Sequence, residues 1–317
     1  MTDEPAPSAL ARELTVGAYD THVHIAPDVM QRRVDDVSLA RRFAELGLAG
    51  FVLKSHYVPT AERAEVVRGI VPGVDVLGAL TLNASVGGLN PVAVEIAGRQ
   101  GARIVWLPTV DGVNERESRV QAPEGATPPM WAQLQDELAA QGVTAPAIAV
   151  LDEAGEVVPA LRQVLMIMAK HDMTLATGHL SGPEISAVVD SAVEHGVHRI
   201  VVTHPEFTSQ QLPVDLQRSL AERGALMERC FTTAHTGKIT WERLCENIRA
   251  VGPEHSVLSS DLGQPFNPPV EDGLALLADR LLKHGFREDE VQVMAVENSR
   301  RVAAAPSAAT AVTASTQ

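Results

Sequence analysis

Short apolar runs alternate with amphipathic stretches along most of the chain. The runs are almost continuously apolar, as in parallel strands that are buried on both faces, and a helical pattern follows each of them. This alternation predicts an α/β fold, a (β/α)8 TIM-type barrel with eight strands. The predicted strands are Ala18–Ile25, Gly50–Ser55, Val74–Leu80, Arg103–Pro108, Met173–His179, Arg199–His204, Ala225–Cys230 and Ser256–Asp261.

Capping residues place several helix boundaries. Asp35 or Asp36 precedes VSLARRFAELG, and Gly47 ends that stretch. Thr60 precedes AERAEVVRGI, and Asn90 with Pro91 opens the helix after the third strand. Side chains of Asp, Thr and Asn accept hydrogen bonds from the first helical N–H groups, while proline suits the first turn. These residues therefore predict helix starts between the strands.

One segment interrupts the rhythm after the fourth strand. Residues 112–129 are polar and rich in proline, and AIAVLDEAGEVV (147–158) has the pattern of a hairpin around Glu153–Gly155. We interpret residues of about 112–158 as an inserted loop and hairpin that partly covers the barrel mouth; a passive surface loop is the alternative. The ends, 1–14 and 303–317, are predicted to be disordered tails of a single barrel domain, 15–302.

Composition and charge narrow the functional classes. Hydrophobic residues make up 45% and charged residues 21% of the 317 residues, and the formal net charge is −14. An acidic chain argues against nucleic acid as a partner, and the sequence has no apolar run long enough for a membrane span. The start has no signal-peptide pattern and there are only two cysteines, which favours the cytoplasm. We expect a small-molecule substrate, with a homo-oligomer left open.

The residues that could carry chemistry lie where strands end. The stretch YDTHVHIAP places His22 and His24 two residues apart, so both side chains point the same way from the first strand. His179, His204 and Asp261 end the fifth, sixth and eighth predicted strands. Since the carboxyl ends of all strands of a barrel meet at one mouth, we expect these five side chains to converge.

This set suits a divalent metal ion. Neutral imidazole nitrogens and a carboxylate bind Zn²⁺ or Mn²⁺ at about 2 Å, and an open coordination position holds a water molecule that the ion acidifies. Taken singly, each histidine could be a hydrogen-bonded core residue, and Asp261 could bond to its own turn. Five such residues at the strand ends of one barrel favour the metal site.

With these residues in place, the sequence resembles the amidohydrolase superfamily from about Tyr19 to Val302. The resemblance consists of H-V-H on the first strand, H on the fifth and sixth, and D on the eighth, together with the ending ENSRRV. The stretches GFVLKSHYVPT, WLPTVDG, ATGHLS, VVTHPEF and LSSDLGQP are similar to those of uncharacterised amidohydrolase-like proteins.

The resemblance implies an enzyme with a divalent ion at the barrel mouth. It implies that His22, His24, His179 and Asp261 bind the ion, and that Asp261 also takes the proton of the activated water and passes it to the leaving group. His204 would either bind a second ion or polarise the bond that breaks. Zinc is the favoured metal and manganese the alternative.

One departure bears on the number of ions. Members with two metals usually carry a bridging lysine or glutamate on the fourth strand, where this chain has Trp106. One ion per chain is therefore favoured. Lys54, at the end of the second strand, could be carbamylated and bridge two ions, or could stay cationic and hold a substrate carboxylate or oxyanion. His56 is a candidate catalytic residue that orients a metal ligand or contacts the substrate.

Three further residues are candidate substrate contacts. Glu228, on the seventh strand, is expected to point into the mouth, and a solvated or salt-bridged glutamate is the alternative. Arg32 follows the first strand and could meet an anionic substrate, or could be a surface charge before the next helix. His235 lies in TTAHTGK, on a loop that follows the seventh strand.

The predicted function is that of a metal-dependent hydrolase. A metal-activated water would cleave an amide, cyclic amide, ester or lactone bond of a small molecule. The alternative is a metal-dependent decarboxylase of a small carboxylic acid, which carbon dioxide release would reveal. A phosphoesterase barrel is a weaker alternative, because such barrels usually carry more acidic and histidine ligands on other strands. A metal-binding protein without turnover is also weaker, because the chain has the full ligand set together with Asp261.

Overall fold

The predicted apolar runs are short parallel strands in the computed structural model, which describes residues 6–121 and 129–305. All eight predicted runs contain a strand, and the third run contains two. The strands are β1 Tyr19–Val23, β2 Gly50–Leu53, β3 Asp75–Leu77, β4 Ala79–Thr81, β5 Ile104–Trp106, β6 Thr174–Ala176, β7 Ile200–Val202, β8 Leu226–Cys230 and β9 Ser256–Ser259.

The strands form two parallel sheets, β1-β2-β3 and β4-β5-β6-β7-β8-β9. At the far edges, the Asp261 N–H donates to the His22 carbonyl (2.9 Å) and the His24 N–H to the Leu262 carbonyl (2.8 Å), so the chain after β9 lies beside β1. The predicted α/β class with parallel strands is therefore confirmed. Closure of the sheets into one barrel remains a prediction.

Gly78 divides the third predicted strand into β3 and β4 because helix and sheet approach closely at this position. A β-carbon on Gly78 would overlap the backbone of Ala61, the first residue of a helix. We expect Gly78→Ala to lower the free energy of unfolding by about 1–3 kcal/mol, the usual cost of overpacking.

Gly69 supplies the matched control, because a β-carbon there meets nothing within 4 Å and the residue is helical. Gly69→Ala should raise the free energy of unfolding by about 0.5–1 kcal/mol. Urea titrations of both variants measure the difference, and equal effects would refute the close approach at Gly78.

Helices separate the strands, as the alternation predicts. Asp35 accepts from the Ser38 N–H at the start of the helix Asp36–Glu45. Asn90 accepts from the N–H groups of Val92 and Ala93 at the start of the helix Pro91–Arg99, so these caps are confirmed. The Thr60 hydroxyl instead donates to the Leu53 carbonyl and accepts from the Ala79 N–H, which ties β2 to β4.

In the described residues, no helix has the length and apolarity to cross a bilayer. The helices before the C-terminal region are α1 Ala9–Leu14, α2 Asp36–Glu45, α3 Ala61–Ile70, α4 Pro91–Arg99, α5 Val113–Val120, α6 Met130–Ala140, α7 Pro159–Lys170, α8 Gly182–Glu194, α9 Val214–Glu222, α10 Phe231–His235 and α11 Trp241–Val251.

The two predicted tails need correction. Residues Ala9–Leu14 form α1. The preceding residue, Ser8, caps this helix, and its residues Ala11 and Leu14 are buried. The prediction of disorder for 1–14 is wrong for this part, because two apolar residues three apart give the short helix a face to bury. Likewise Ala303 is the buried last residue of the final helix. Residues 1–5 and 306–317 lie outside the described part of the chain.

The C-terminal ENSRRV segment contacts the amino ends of strands. The last helices are α12 Gly273–Lys283, α13 Glu288–Gln292 and α14 Asn298–Ala303, with a π-helical turn between the last two. The Asn298 amide donates to the Ser256 carbonyl (2.8 Å), and Ser299 Oγ accepts from the Tyr19 N–H (3.0 Å). These bonds fix β1 and β9 at the end opposite the histidines.

The segment after the fourth predicted strand is more helical than expected. It contains α5 and α6 within residues of about 112–158, which were predicted to be an inserted loop and hairpin; residues 122–128 lie outside the described part. Glu115 of α5 is buried and Asn114 donates to the His179 carbonyl, so α5 has contacts that fix it. In 147–158, one antiparallel bridge joins Leu151 and Val157, and the full hairpin remains a prediction.

Candidate metal centre

Three of the five strand-end residues form one tight group. The Nε2 atoms of His22 and His24 lie 3.3 and 3.2 Å from Oδ1 of Asp261. Potential ligand atoms of these three residues all lie within 4.8 Å of one another. His22 is on β1, His24 directly follows β1, and Asp261 lies two residues beyond the end of β9; the neighbouring carboxyl ends of these strands bring the side chains together.

His179 and His204 lie next to this group. The ring centroids of His179 and His204 are 5.0 Å apart, and those of His22 and His204 are 5.9 Å apart. Among the described residues, neither joins the group of ligand atoms within 4.8 Å. The predicted convergence is therefore tightest for His22, His24 and Asp261, with the other two histidines on the adjoining wall.

Hydrogen bonds orient two of the imidazoles from behind. The Nδ1 atom of His22 lies 3.2 Å from both carboxylate oxygens of Glu228, and Nδ1 of His204 lies 2.8 Å from Oε1 of Gln210. The Gln210 amide nitrogen donates to two backbone carbonyls, which fixes Oε1 as the acceptor. Each Nδ1 therefore carries the proton, and each Nε2 keeps a lone pair for the centre.

A third imidazole is oriented by the segment after β5. The Nδ1 atom of His179 lies 2.9 Å from the Glu115 carboxylate of α5. Burial tends to raise the pKa of Glu115, but the nearby His179 outweighs it, so that this pKa is lower than usual. Glu115 is thus an ionised partner that turns Nε2 of His179 away from α5.

His56 belongs to a different arrangement. Oδ1 of Asn83 accepts from the Thr109 N–H, so its amide nitrogen faces the Thr109 hydroxyl, to which it donates over 2.7 Å. The Thr109 hydroxyl lies 2.9 Å from Nδ1 of His56. Among the described residues, this nitrogen is the acceptor available to the hydroxyl proton of Thr109. This network assigns the His56 proton to Nε2 and makes the ring a hydrogen-bond donor.

Burial sets the charge state of the centre. It lowers the pKa of His24 well below the ordinary value, and together with the charge of His179 it lowers the pKa of His204 to about 3. For Asp261, burial tends to raise the pKa, but His22 and a hydrogen bond from His24 hold it well below the usual range. Near pH 7, His24 and His204 are thus neutral imidazoles beside the ionised carboxylate of Asp261.

Lys54 lies against both His22 and Trp106. Its Nζ is 2.8 Å from Nε2 of His22 and 5.1 Å from the centroid of the Trp106 ring. Burial lowers the pKa of Lys54, whereas the carboxylates of Asp261 and Glu228 oppose that shift. The lysine amine therefore reaches the nitrogen lone pair of His22 that a metal would use.

Two site residues have unusual backbone conformations. The φ angles of His204 and Asp261 are +24° and +53°, in the left-handed region that non-glycine residues rarely adopt. Such conformations cost about 1–3 kcal/mol each and persist where surrounding contacts fix them. For Asp261 these contacts include the bond from its N–H to the His22 carbonyl and the bond from the Thr232 hydroxyl to Oδ2 (2.9 Å).

A cavity of about 150 Å³ opens above these residues. Of the predicted substrate contacts, Arg32 lines it, as do Lys54 and His56. Met130 and Trp131 of α6 line it as well, so the segment after β5 contributes to the mouth. Its lining residues are His24, Met30, Arg32, Lys54, His56, Pro129, Met130, Trp131, His179, His204, Phe207, Thr232, Thr236, Lys238, Asp261, Gln264, Phe266 and Asn267.

Two predicted substrate contacts lie outside the lining of this cavity. Glu228 does not line the cavity, because its buried carboxylate is turned onto His22. His235 is not on a loop but ends α10, where its ring stacks on Phe231 with centroids 4.9 Å apart. Thr232 and Thr236, four residues apart on one side of that turn, face the cavity instead.

Comparisons with known proteins agree with this architecture. Residues 17–228 match the profile of a family of unknown function, DUF6282. This range includes all the site histidines and ends before Asp261. The comparison with curated proteins gave no match.

Solved structures share the fold over nearly the whole chain. A protein described as an amidohydrolase from Pseudomonas aeruginosa has a TM-score of 0.56 at 11% identity, covering 94% of this chain and 98% of that one. A Pseudomonas putida protein, whose description proposes a 2-pyrone-4,6-dicarboxylic acid hydrolase, has a TM-score of 0.56 at 15% identity and covers 90% and 97%. The metallopeptidase dipeptidase AC has a TM-score of 0.55 at 14% identity, covering 91% of this chain and 98% of that one. The predicted resemblance to amidohydrolases is thus confirmed in the fold.

Proposed function

This chain belongs to the family of unknown function DUF6282, and we propose from its site that it is a metal-dependent hydrolase. The proposed reaction uses a metal-activated water to cleave an amide, cyclic amide, ester or lactone bond of a small molecule. The observation that carries the proposal is the group of His22, His24 and Asp261, whose ligand atoms lie within 4.8 Å of one another at neighbouring strand ends.

The residues present fit a divalent cation. The Nε2 atoms of His22, His179 and His204 are left for the centre by partners on Nδ1, and Asp261 adds a carboxylate. Imidazole with carboxylate suits zinc or manganese. Among the described residues, the buried Nδ1 atoms of His24 and His179 have no aligned hydrogen bond, although the Glu115 carboxylate lies 2.9 Å from that of His179. The His24 ring also stacks on that of His56, with centroids 5.0 Å apart.

A second possible set, His22, Glu228 and Cys230, fits less well. It would use Nδ1 of His22, which faces the Glu228 carboxylate and therefore carries a proton. Burial also raises the pKa of Cys230 well above its ordinary value, so this cysteine remains a thiol, whereas a metal binds the thiolate. We therefore assign the ion to the Nε2 side, one per chain, with zinc favoured.

When bound, such an ion would lower the pKa of water to roughly 7 and polarise a carbonyl oxygen. Asp261 is the general base: its carboxylate is ionised, and the Thr232 hydroxyl holds Oδ2 while Oδ1 faces the two histidines. It accepts a proton from the attacking water and returns it to the leaving group. His56 donates its Nε2 proton towards the substrate, and Lys54 adds a nearby positive charge for a developing oxyanion.

Two further features support the assignment. The solved structures that share this fold are described as hydrolases or dipeptidases, which favours hydrolysis over decarboxylation. We also take the two sheets as parts of one closed barrel, because β3 and β4 are separated by Gly78 alone and a parallel bridge joins Val23 to Leu262.

A substrate screen tests the proposed function. Zinc-loaded protein is incubated with amides, lactones and esters in ¹⁸O-labelled water, and released acids are analysed by mass spectrometry. We expect one ¹⁸O atom in the product carboxylate, and loss of the reaction on chelation. Release of carbon dioxide without ¹⁸O incorporation, or turnover that chelation leaves unchanged, would refute hydrolysis by a metal-activated water.

Glu228→Gln tests the orienting role of Glu228. Loss of the carboxylate charge behind His22 should weaken zinc affinity about 10–100-fold, as for other residues that orient a metal ligand. The dissociation constant is measured by competition with a chromophoric chelator. Glu246→Gln, at an exposed position on α11, is the control and should leave affinity unchanged. An unchanged affinity in Glu228→Gln would refute this role.

A further inference from the structure

The charge of the cavity is opposite to that of the whole chain. The protein has 40 acidic and 26 basic residues, yet Arg32, Lys54 and Lys238 line the cavity with Asp261 as the acidic residue in the described lining. Asp28 beside Arg32 offsets part of this positive charge. A cationic cavity in an acidic protein selects for anionic ligands, because local rather than net charge decides binding.

Of the two lining cations Arg32 and Lys238, Arg32 is the more deeply buried. Its side chain is 3% exposed, whereas Lys238 is exposed. Its Nε donates to Oδ2 of Asp28 over 2.7 Å, and its Nη2 lies near that same oxygen. However, Nη2 is buried and has no aligned hydrogen-bond acceptor among the described residues. A guanidinium has five N–H donors, so this contact leaves donors for a second anion.

Arg32 lines the same cavity as His24, Lys54 and His56. Burial is the main cause of the lowered pKa values of His24, Lys54 and His56, and the positive charge of Arg32 lowers all three further. An anion bound at Arg32 would therefore lie beside the histidines of the metal centre.

Part of the cavity wall is apolar. Met30, Trp131 and Phe207 contribute to its walls, and Nζ of Lys238 lies 5.1 Å from the centroid of the Phe207 ring. Aromatic and methionine side chains bind the apolar body of a small ligand, while a planar guanidinium fork matches the geometry of a carboxylate.

From these features we propose that the substrate is a small apolar molecule with a free carboxylate in addition to the bond that breaks, and that Arg32 binds this carboxylate. The inference rests on the proposed function for the identity of the reacting bond. The carboxylate binds Arg32 and the apolar body lies against Trp131 and Phe207, which directs the second acyl group to Asp261 and the histidines.

One anionic probe and one neutral probe of the same shape test the proposal. The affinities of 3-carbamoylbenzoate and isophthalamide, which differ by one charge, are measured by calorimetry on chelated and on zinc-loaded protein. The natural protein should bind the anion at least about tenfold tighter in both states, since an arginine–carboxylate pair is a strong charge-assisted contact. In Arg32→Gln this preference should fall to about twofold or less.

Controls separate binding from folding. Arg32→Gln leaves the buried Asp28 unpaired and could unfold the protein, so Asp28→Asn/Arg32→Gln replaces the ion pair by two neutral amides. That double variant should also lose the preference, whereas Asp28→Asn alone should keep it. Arg41→Gln, on the exposed side of α2, should behave as the natural protein. Circular dichroism verifies that each variant is folded.

The outcomes distinguish this proposal from the proposed function. Loss of the anion preference in the folded Arg32 variants, already in chelated protein, supports the carboxylate site even if the substrate screen fails. A preference that is unchanged in the double variant, or absent from the natural protein, overturns the carboxylate site and leaves the metal-dependent hydrolase untouched.

Discussion

Replacement of Asp261 by asparagine is expected to abolish turnover of the substrate found by the screen. Asparagine keeps the size of the side chain and an oxygen that can accept from Thr232, but it cannot take up a proton near pH 7. General-base catalysis contributes about 10²–10⁴-fold to enzymatic rates, so we expect kcat to fall by at least about 10²-fold. Steady-state kinetics at saturating zinc measure the loss.

The zinc content of the Asp261 variant must be measured in parallel, because this carboxylate is also a proposed metal ligand. Asp215→Asn is the matched control, since the Asp215 side chain is 93% exposed on α9, away from the cavity. It should keep full activity. An Asp261→Asn protein that is loaded with zinc and as active as the natural protein would contradict the assignment of the general base.

Chelation of the metal ion should lower activity at least as much as Asp261→Asn does. Without the ion, the pKa of water stays far above neutral instead of falling to roughly 7, so we expect activity to fall by at least about 10³-fold. The loss is measured after exhaustive dialysis against a chelator, followed by addition of Zn²⁺ or Mn²⁺. Activity should return with about one equivalent of metal.

The double variant His22→Asn/His24→Asn is the reference for that experiment. It lacks two proposed ligands, so added metal should not restore its activity. Recovery of the natural protein together with failure of the variant supports the role of these histidines. Full activity of the chelated natural protein would show that the reaction does not depend on a metal.

The placement of the site residues could be predicted because it depends on topology. Carboxyl ends of parallel strands meet at one edge, so His22, His24 and Asp261 could be brought together from the positions of apolar runs alone. His179 and His204 follow the same rule. Strand and helix patterns depend on local periodicity, which the sequence displays directly.

The residues behind the histidines could not be predicted in the same way. Glu115 lies in a segment without a strand pattern, and Gln210 follows His204 by six residues on an irregular stretch. Their positions depend on loop conformations that no periodicity encodes. Glu228 shows a related limit: its strand was predicted, but whether its carboxylate faces substrate or His22 depends on the sheet geometry.

Errors in the fold have similar causes. The break at Gly78 follows from the close approach of Ala61, a contact between separate elements that the apolar run VDVLGAL does not reveal. The helix Ala9–Leu14 is short and would be marginal alone, and its stability comes from burial of Ala11 and Leu14. Tertiary contacts, not local propensity, decide both features.

The metal content of the purified protein tests the central claim most directly. The natural protein and His22→Asn/His24→Asn are exposed to Zn²⁺, dialysed, and analysed by inductively coupled plasma mass spectrometry. We predict about one zinc ion per chain in the natural protein and almost none in the double variant. A natural protein that retains no ion, or a folded variant that retains as much as the natural protein, would contradict a metal centre at these residues.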